Sequence, residues 1–416
     1  MKILKLKKEE KKVFVHLIIS AFFYGFFLSF ILIKEIIARK ALDATDFQLS
    51  LLVMIFPVTS VFSIWWGKLL ERTIDKSKYF LLISLFGRLL LACGLIISNM
   101  NQFLILSLII FIFHSSYIPA RNSIYQKKIY KFSRGKIFGI TLSITTLISM
   151  IFSYIAGRTL DFNENFFKYV LFIIAFMGFF DSLILFFIKN KSNKEKKKVK
   201  FYNIFTDPLK RSWEILKRNK DFRRFEIGFM IYGMGFLMMM LAVPIFLVDI
   251  MKFNYTTSFL AKAVVAQIGL FLLAPFMGYL HDRFHPTKFT IFSFGMLILY
   301  PFILLISQFF DIYNLQVLIV FIGFFIFGVA RAADTVVWNM GSVYFAKDED
   351  SSMYQSIHVT LMGIRGIIAP MLSVLIKKML NTNGIFIFSS LFFLAASMYS
   401  LHSYKLSDYY IKLRGN

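Results

Sequence analysis

Arg365 stands between Gly363 and Gly366, with Pro370 close behind, inside an otherwise apolar run. Its guanidinium is a planar fork of donors suited to a carboxylate or phosphate, and the small neighbours are expected to leave space around it. The competing reading is a packing arginine bonded to nearby carbonyls. His114 lies in another apolar run, where an imidazole that changes charge near neutrality suits proton coupling and a structural bond to Ser115 or a neighbouring helix is the alternative. Arg88 and Asp181 sit at nearly matching depth in two further runs. A charge in hydrocarbon costs roughly 2.5–3.5 kcal/mol on insertion scales, so the match predicts a structural ion pair. Met230, Met234 and Met238 are spaced four apart on one helical face, and His358-x-x-x-Met362 opens another run. Thioethers with an imidazole could carry Cu(I), although Met also fills irregular cores.

The elements that hold these residues follow from hydropathy. Hydrophobic residues make up 58% of the 416, above the roughly 45–50% of soluble domains and enough for about twelve crossings of about 20 residues. Apolar runs fall near 13–33, 48–66, 79–98, 103–120, 137–157, 169–188, 225–248, 259–280, 289–309, 315–337, 356–376 and 384–402. The first is too long for a signal h-region of about 7–15 residues and reads as a retained anchor. An all-α polytopic membrane protein of twelve transmembrane helices is expected. With cytoplasmic termini, 36 Lys and Arg fall in cytoplasmic segments against 8 on the other side, a strong positive-inside bias. The net charge of +25 is thereby topology and calls for no nucleic acid. One cysteine, Cys93, excludes an intrachain disulfide framework and a Cys-rich metal site.

The polar stretch 189–224, with Lys194-Glu195-Lys196-Lys197-Lys198, divides the chain into six-span bundles at 1–188 and 225–416. Part of this basic cytoplasmic linker, Pro208 to Asn219, is expected as a surface helix with Trp213, Ile215 and Leu216 toward the headgroups. The bundles read as copies. Gly67-Lys68-Leu69-Leu70-Glu71-Arg72 follows span two and Gly278-Tyr279-Leu280-His281-Asp282-Arg283 follows span eight, 211 residues apart. Ala120-Arg121 near the end of span four has a counterpart in Ala330-Arg331 near the end of span ten, 210 apart. Two motifs at nearly one offset argue for duplication.

These loops, with twelve spans and a basic central linker, resemble the major facilitator superfamily (MFS), whose loop between helices two and three reads Gly-x-x-x-Asp-Arg-x-Gly-Arg-Arg. Here Glu71 replaces Asp and the second Gly is missing. The resemblance implies two pseudo-symmetric six-helix bundles and a secondary active transporter working by rocker-switch alternating access. It makes the loop residues Gly67, Glu71, Arg72, Gly278, Asp282 and Arg283, with Arg121, Arg331 and Asp334 beside them, a cytoplasmic gate. It places Arg88 and Asp181 on helices peripheral to the cavity, and puts Arg365, His114, Tyr24, Tyr232, Gln267, Asn339, Thr141 and Thr145 on helices that line it. Span four lacks the Arg with Gln-Gly of proton-driven members, and the Gly-Pro pattern of antiporter helix five is absent, which weakens drug–proton antiport.

The surplus of Arg365, Lys262, Arg331 and His114 over Asp334 tilts the substrate toward a small organic or amphipathic anion. A coupling ion, proton or sodium, is possible, with a monomer in the cytoplasmic (inner) membrane and both termini cytoplasmic. Alternatives are a copper importer, similar in Met-x-x-x-Met of helix seven to copper-importing members of the superfamily, a drug exporter, or a non-transporting sensor. No resident cofactor or metal is expected, and no enzyme: no Gly-x-x-x-x-Gly-Lys-Ser/Thr, His-Glu-x-x-His or Gly-x-Ser-x-Gly occurs.

Overall fold

A backbone in hydrocarbon must bond to itself, which leaves the helix as the default for apolar runs. The computed structural model describes residues 8–62, 65–66, 73, 75–130, 134–189, 201–281, 284–346 and 351–407, and among them there is no β-strand. The helices are α1 (Lys8–Ala41), α2 (Asp46–Val61), α3 (Lys78–Phe86), α4 (Met100–His114), α5 (Tyr117–Lys128), α6 (Arg134–Phe162), α7 (Phe167–Phe186), α8 (Phe201–Arg218), α9 (Lys220–Ile245), α10 (Tyr255–Phe259), α11 (Ala266–His281), α12 (Pro286–Leu297), α13 (Leu299–Ser307), α14 (Tyr313–Ala346) and α15 (Ser351–Lys405). Nine helical stretches among the described residues are long and apolar enough to cross a membrane, and Asp46–Val61 and Met100–His114 are shorter apolar helices. The chain is a multi-pass membrane protein.

Several expected spans are interrupted where the site chemistry lies. Span three leaves the α-helix after α3, at Arg88 (φ −134, ψ −68), and continues as a tighter 3-10 segment over Leu89–Ile96. Span four is divided into α4 and α5 at Ser115 and Ser116. The 55 residues of α15 would reach about 80 Å as one straight helix, against a hydrocarbon core of about 30 Å. They are broken at Asn381 (φ 57, ψ −169), between the expected runs 356–376 and 384–402. The linker helix α8 starts before Pro208 and buries Ile215 while leaving Trp213 72% exposed. Ile215 therefore does not face the headgroups as expected.

The described chain separates into two compact units, Met1–Asp43 with Phe62–Ile204 and Ala44–Val61 with Phe205–Asn416. In the first, α1 packs on α6 and α7, and α3 on α7. In the second, α9 and α2 pack on α15, α11 on α14, and α12 on both α14 and α15. Although α2 precedes the linker in sequence, it is held by Gly363 and Gly366 of α15, where an added β-carbon would collide with Val61 and Pro57. Small residues at a crossing let helix backbones approach closely, and van der Waals packing is what holds helices together in lipid.

Backbone geometry adds evidence of duplication. Asp43 (φ 45) ends the turn before α2 and Lys252 (φ 51) the turn before α10, both left-handed. Two residues on, Thr45 Oγ1 accepts from the Gln48 amide at 3.2 Å and Asn254 Oδ1 from the Thr257 amide at 2.8 Å. The two capped turns are 209 residues apart.

Candidate functional site

In the first unit the break at Arg88 frees its guanidinium for the interior. Arg88 Nη2 lies 3.5 Å from Asp181 Oδ2, both side chains fully buried, and Nη1 donates to the Gly87 carbonyl at 2.9 Å. Asp181 also accepts from Ser20 Oγ (2.6 Å), Tyr117 Oη (2.8 Å) and Ser182 Oγ (3.2 Å). So many donors offset the desolvation of a buried carboxylate. The Arg88 Cζ sits 3.6 Å from the Phe27 ring centroid, a cation–π contact that shields the other face.

Tyr24 and Tyr117 stack at 5.1 Å between two cations. Arg88 is 5.6 and 5.0 Å from their centroids, and Arg121 is 5.8 and 5.3 Å. Arg121 also approaches the Phe138 ring at 5.8 Å. It makes no carboxylate contact among the described residues, and its Nε has no hydrogen-bond partner there. His114 is buried in the same aromatic group, 5.7 Å from Tyr117 and 5.0 Å from Phe27. Ser115, its expected partner, instead gives its hydroxyl to the Ile112 carbonyl at 2.7 Å.

In the second unit Arg331 and Asp334, one turn apart on α14, form an ion pair, and Tyr232 Oη donates to the same Asp334 oxygen at 3.1 Å. Arg331 reaches Tyr232 Oη at 3.5 Å. The buried Arg365 donates Nη1 to the Phe229 carbonyl and lies 5.9 Å from the Tyr232 ring, while its Nε has no partner among the described residues. Its packing is the reverse of the expected one. Gly363 and Gly366 open no space for it, because α2 fills their surfaces; room comes from Gly233 on α9, where a β-carbon would collide with the guanidinium. Beside Arg365, Glu226 and His358 are bonded, Nδ1 lying 3.0 and 2.9 Å from the two carboxylate oxygens.

The structure thus brings Tyr232, Arg331, Asp334 and Arg365 together in one unit and Tyr24, Arg88, Asp181, His114 and Arg121 in the other. Gln267 is half-buried on α11, and Asn339 is spent locally, donating to the Thr335 carbonyl at 2.7 Å. Thr145 bonds the Ala21 carbonyl and Thr141 pairs with Tyr125 Oη. Of the copper candidates, Met238 is buried, Met230, Met234 and Met362 are half-buried, and His358 Nδ1 is engaged by Glu226. Gly67, Glu71, Arg72, Asp282 and Arg283 lie outside the described residues, and Gly278 is in α11.

Sequence reasoning passed over Glu226, at the start of span seven where it reads as an interfacial acid, and Gly233. A signal for Gly233 existed: Tyr24-Gly25 and Tyr232-Gly233 are 208 apart, near the offset of the loop motifs. Gly25 admits Ile148 of α6, with an added β-carbon 2.6 Å from the Ile148 Cβ, where Gly233 admits Arg365. The repeats share the notch and differ in what enters it.

Comparison with known proteins agrees with this layout. Residues 15–345 match the family model described as Major Facilitator Superfamily. No curated protein matches the chain. Among solved structures, a variant of the nucleoside transporter NupG aligns at TM-score 0.75 and 13% identity, covering 94% of this chain and all of its own. A POT family transporter in complex with a thioalcohol-conjugated peptide aligns at 0.73 and 13%, covering 95% and 97%. A bacterial homologue of the human lysosomal transporter Spinster, inward-facing and unoccupied, aligns at 0.61 and 12%, covering 96% of both. Such identities speak to the fold alone. With a family model spanning most of its length and a helical membrane fold shared with these transporters, the chain belongs to the Major Facilitator Superfamily.

Proposed function

We propose that the protein is a secondary active transporter that carries a small organic or amphipathic anion by alternating access of two six-helix bundles, 1–188 and 225–416, joined by the basic linker 189–224. Its place is the cytoplasmic (inner) membrane with both termini cytoplasmic, on the distribution of Lys and Arg. The reading rests above all on Arg365, a buried guanidinium whose hydrogen bond goes to a carbonyl rather than a carboxylate and whose Nε is unclaimed among the described residues. A guanidinium cannot shed its proton to become neutral, so an anionic ligand is the natural completion of such a group. Tyr232 supplies ring surface beside Arg365, and Arg121, the Arg331–Asp334 pair and the loop motifs serve as the gate.

The test is thermal stability of the purified protein against mono- and dicarboxylates, organic phosphates, neutral nucleosides and cationic drugs, alongside R365Q. Binding to the native state at 100 times Kd adds about 2.7 kcal/mol. Anions are expected to raise the melting temperature of the wild type and leave R365Q unchanged. Stabilisation by neutral or cationic compounds that survives in R365Q would overturn the assignment.

A further inference from the structure

We infer that the Glu226–His358 pair is a proton-binding site, and that its proton is coupled to the anion held by Arg365; the coupling half of this inference rests on the proposed function, the proton site does not. The pair bridges α9 and α15 inside the membrane-spanning part of the second unit, with Glu226 2% and His358 1% exposed. A buried carboxylate in lipid needs a partner, and the partner's chemistry decides whether the site can change charge. Asp181 and Asp334 are each paired with an arginine, a group whose charge is fixed. Glu35 is paired with Lys34, an ammonium whose ordinary range lies near 10.4. Glu226 instead faces an imidazole, the side chain that gains and loses a proton near neutrality.

The geometry leaves a valence for that proton. With the ring hydrogen on Nδ1 directed at the carboxylate, Nε2 has no hydrogen-bond partner among the described residues. Around the ring stand Phe225, Phe229 and Trp338, at 6.3, 4.8 and 5.4 Å. Without the extra proton the pair carries one negative charge; with it, glutamate and imidazolium cancel. Of the charged and titratable groups around the pair, Arg365 of α15 is held on the Phe229 carbonyl, while Tyr232 of α9 and Arg331 and Asp334 of α14 are bonded to one another. Tyr354 lies one turn away on α15, within 3.4 Å of Asn219 Nδ2. The shell from α12 is apolar, through Phe294, 5.3 Å from Phe229.

Phe229 joins the two sites. Its carbonyl takes the Arg365 hydrogen bond while its ring packs edge-on against His358. His358 and Arg365 are seven residues apart, two turns along one face of α15. In the empty site the negative pair balances Arg365. A monoanion on Arg365 removes that balance and leaves the pair's charge uncompensated, so anion binding favours proton uptake, and by linkage a proton favours the anion. Anion and proton then move together with no net charge. The proton is taken up on Nε2 and released from the same atom, with bulk water as its ultimate source and sink; no covalent bond other than N–H changes.

Infrared difference spectra of the purified full-length protein over about pH 4 to 9, in wild type, E226Q, H358Q and the double variant, read the pair without any substrate. A protonation step that changes imidazole and carboxylate bands together in the wild type and is lost from all three variants is expected. The double variant keeps neutral hydrogen-bonding groups in place should a single change fail to fold. An unchanged step in the variants, or none in the wild type, overturns the proton site. The coupling is read in proteoliposomes with benzoate as probe anion and an imposed pH gradient. Wild type should take it up at an initial rate at least tenfold above protein-free liposomes under the same gradient, which set the rate of diffusion of neutral benzoic acid. E226Q should lose that excess rate while keeping the thermal stabilisation by benzoate. Gradient-driven uptake by E226Q at the wild-type rate overturns the coupling. Absence of benzoate binding in the wild type, with the infrared step intact, would instead defeat the anion reading and leave the proton site standing.

Discussion

Asp181 accepts from three hydroxyls, and its compensating charge comes from Arg88, 3.5 Å away. Replacing Arg88 with Gln leaves the carboxylate its hydroxyl donors but no counter-charge, and replacing Asp181 with Asn leaves the guanidinium without one. Removing one partner of a buried pair typically costs about 3–5 kcal/mol, while removing both is far milder. R88Q and D181N should each melt well below the wild type, and R88Q/D181N above either single variant. Additive losses in that double-mutant cycle would show that the two do not act as a pair. Arg365 depends on Gly233 in a different way, since a β-carbon there takes the guanidinium's place. G233A should therefore mimic R365Q in losing anion stabilisation, with G25A, the repeat counterpart against Ile148, expected to destabilise the fold but spare the ligand response. Retained anion stabilisation in G233A would contradict this.

At the scale of elements, Gly366 and Pro57 set how closely α2 lies on α15. G366V should lower the melting temperature and weaken that packing, as measured by thermal unfolding in detergent. The break in α15 places Asn381 in a left-handed conformation at φ 57, where a residue without a β-carbon is least strained; N381G should match or exceed wild-type stability. His285 caps α12, accepting from the Thr287 amide at 3.2 Å. Burial, and then the Lys288 ammonium, push its pKa down to about 4. It is thus neutral in the fold at pH values where an unfolded chain, near 6.5, already binds a proton. Stability from this residue is full above about pH 6.5 and is lost as pH falls toward 4. H285Q should show a smaller drop in melting temperature between pH 7 and 5 than the wild type; an equal drop would locate the acid sensitivity elsewhere.

Over the whole molecule, what the sequence carried and what it withheld divide along physical lines. Hydropathy runs find the membrane segments because lipid forces continuous apolar stretches, and the loop motifs reveal the duplication because repeats keep their spacing. The break at Asn381 carries no Pro or Gly punctuation of its own, so periodicity runs straight through it, and Gly87, which ends α3 beside Arg88, is a single glycine inside a long apolar run. Helix rotation is not encoded in a uniformly apolar run, which is why Glu226 could not be matched with His358, nor Gly233 with Arg365, before the helices were packed. Gly363 and Gly366 were legible as small residues, but not which neighbour would use them. The central claim, anion transport through Arg365, is tested most directly by uptake of labelled benzoate into proteoliposomes of wild type and R365Q. An initial uptake rate by the wild type, above that of protein-free liposomes, that falls at least tenfold in R365Q is the predicted result. Equal rates in both, or no excess rate in a wild type that still binds benzoate, would contradict it.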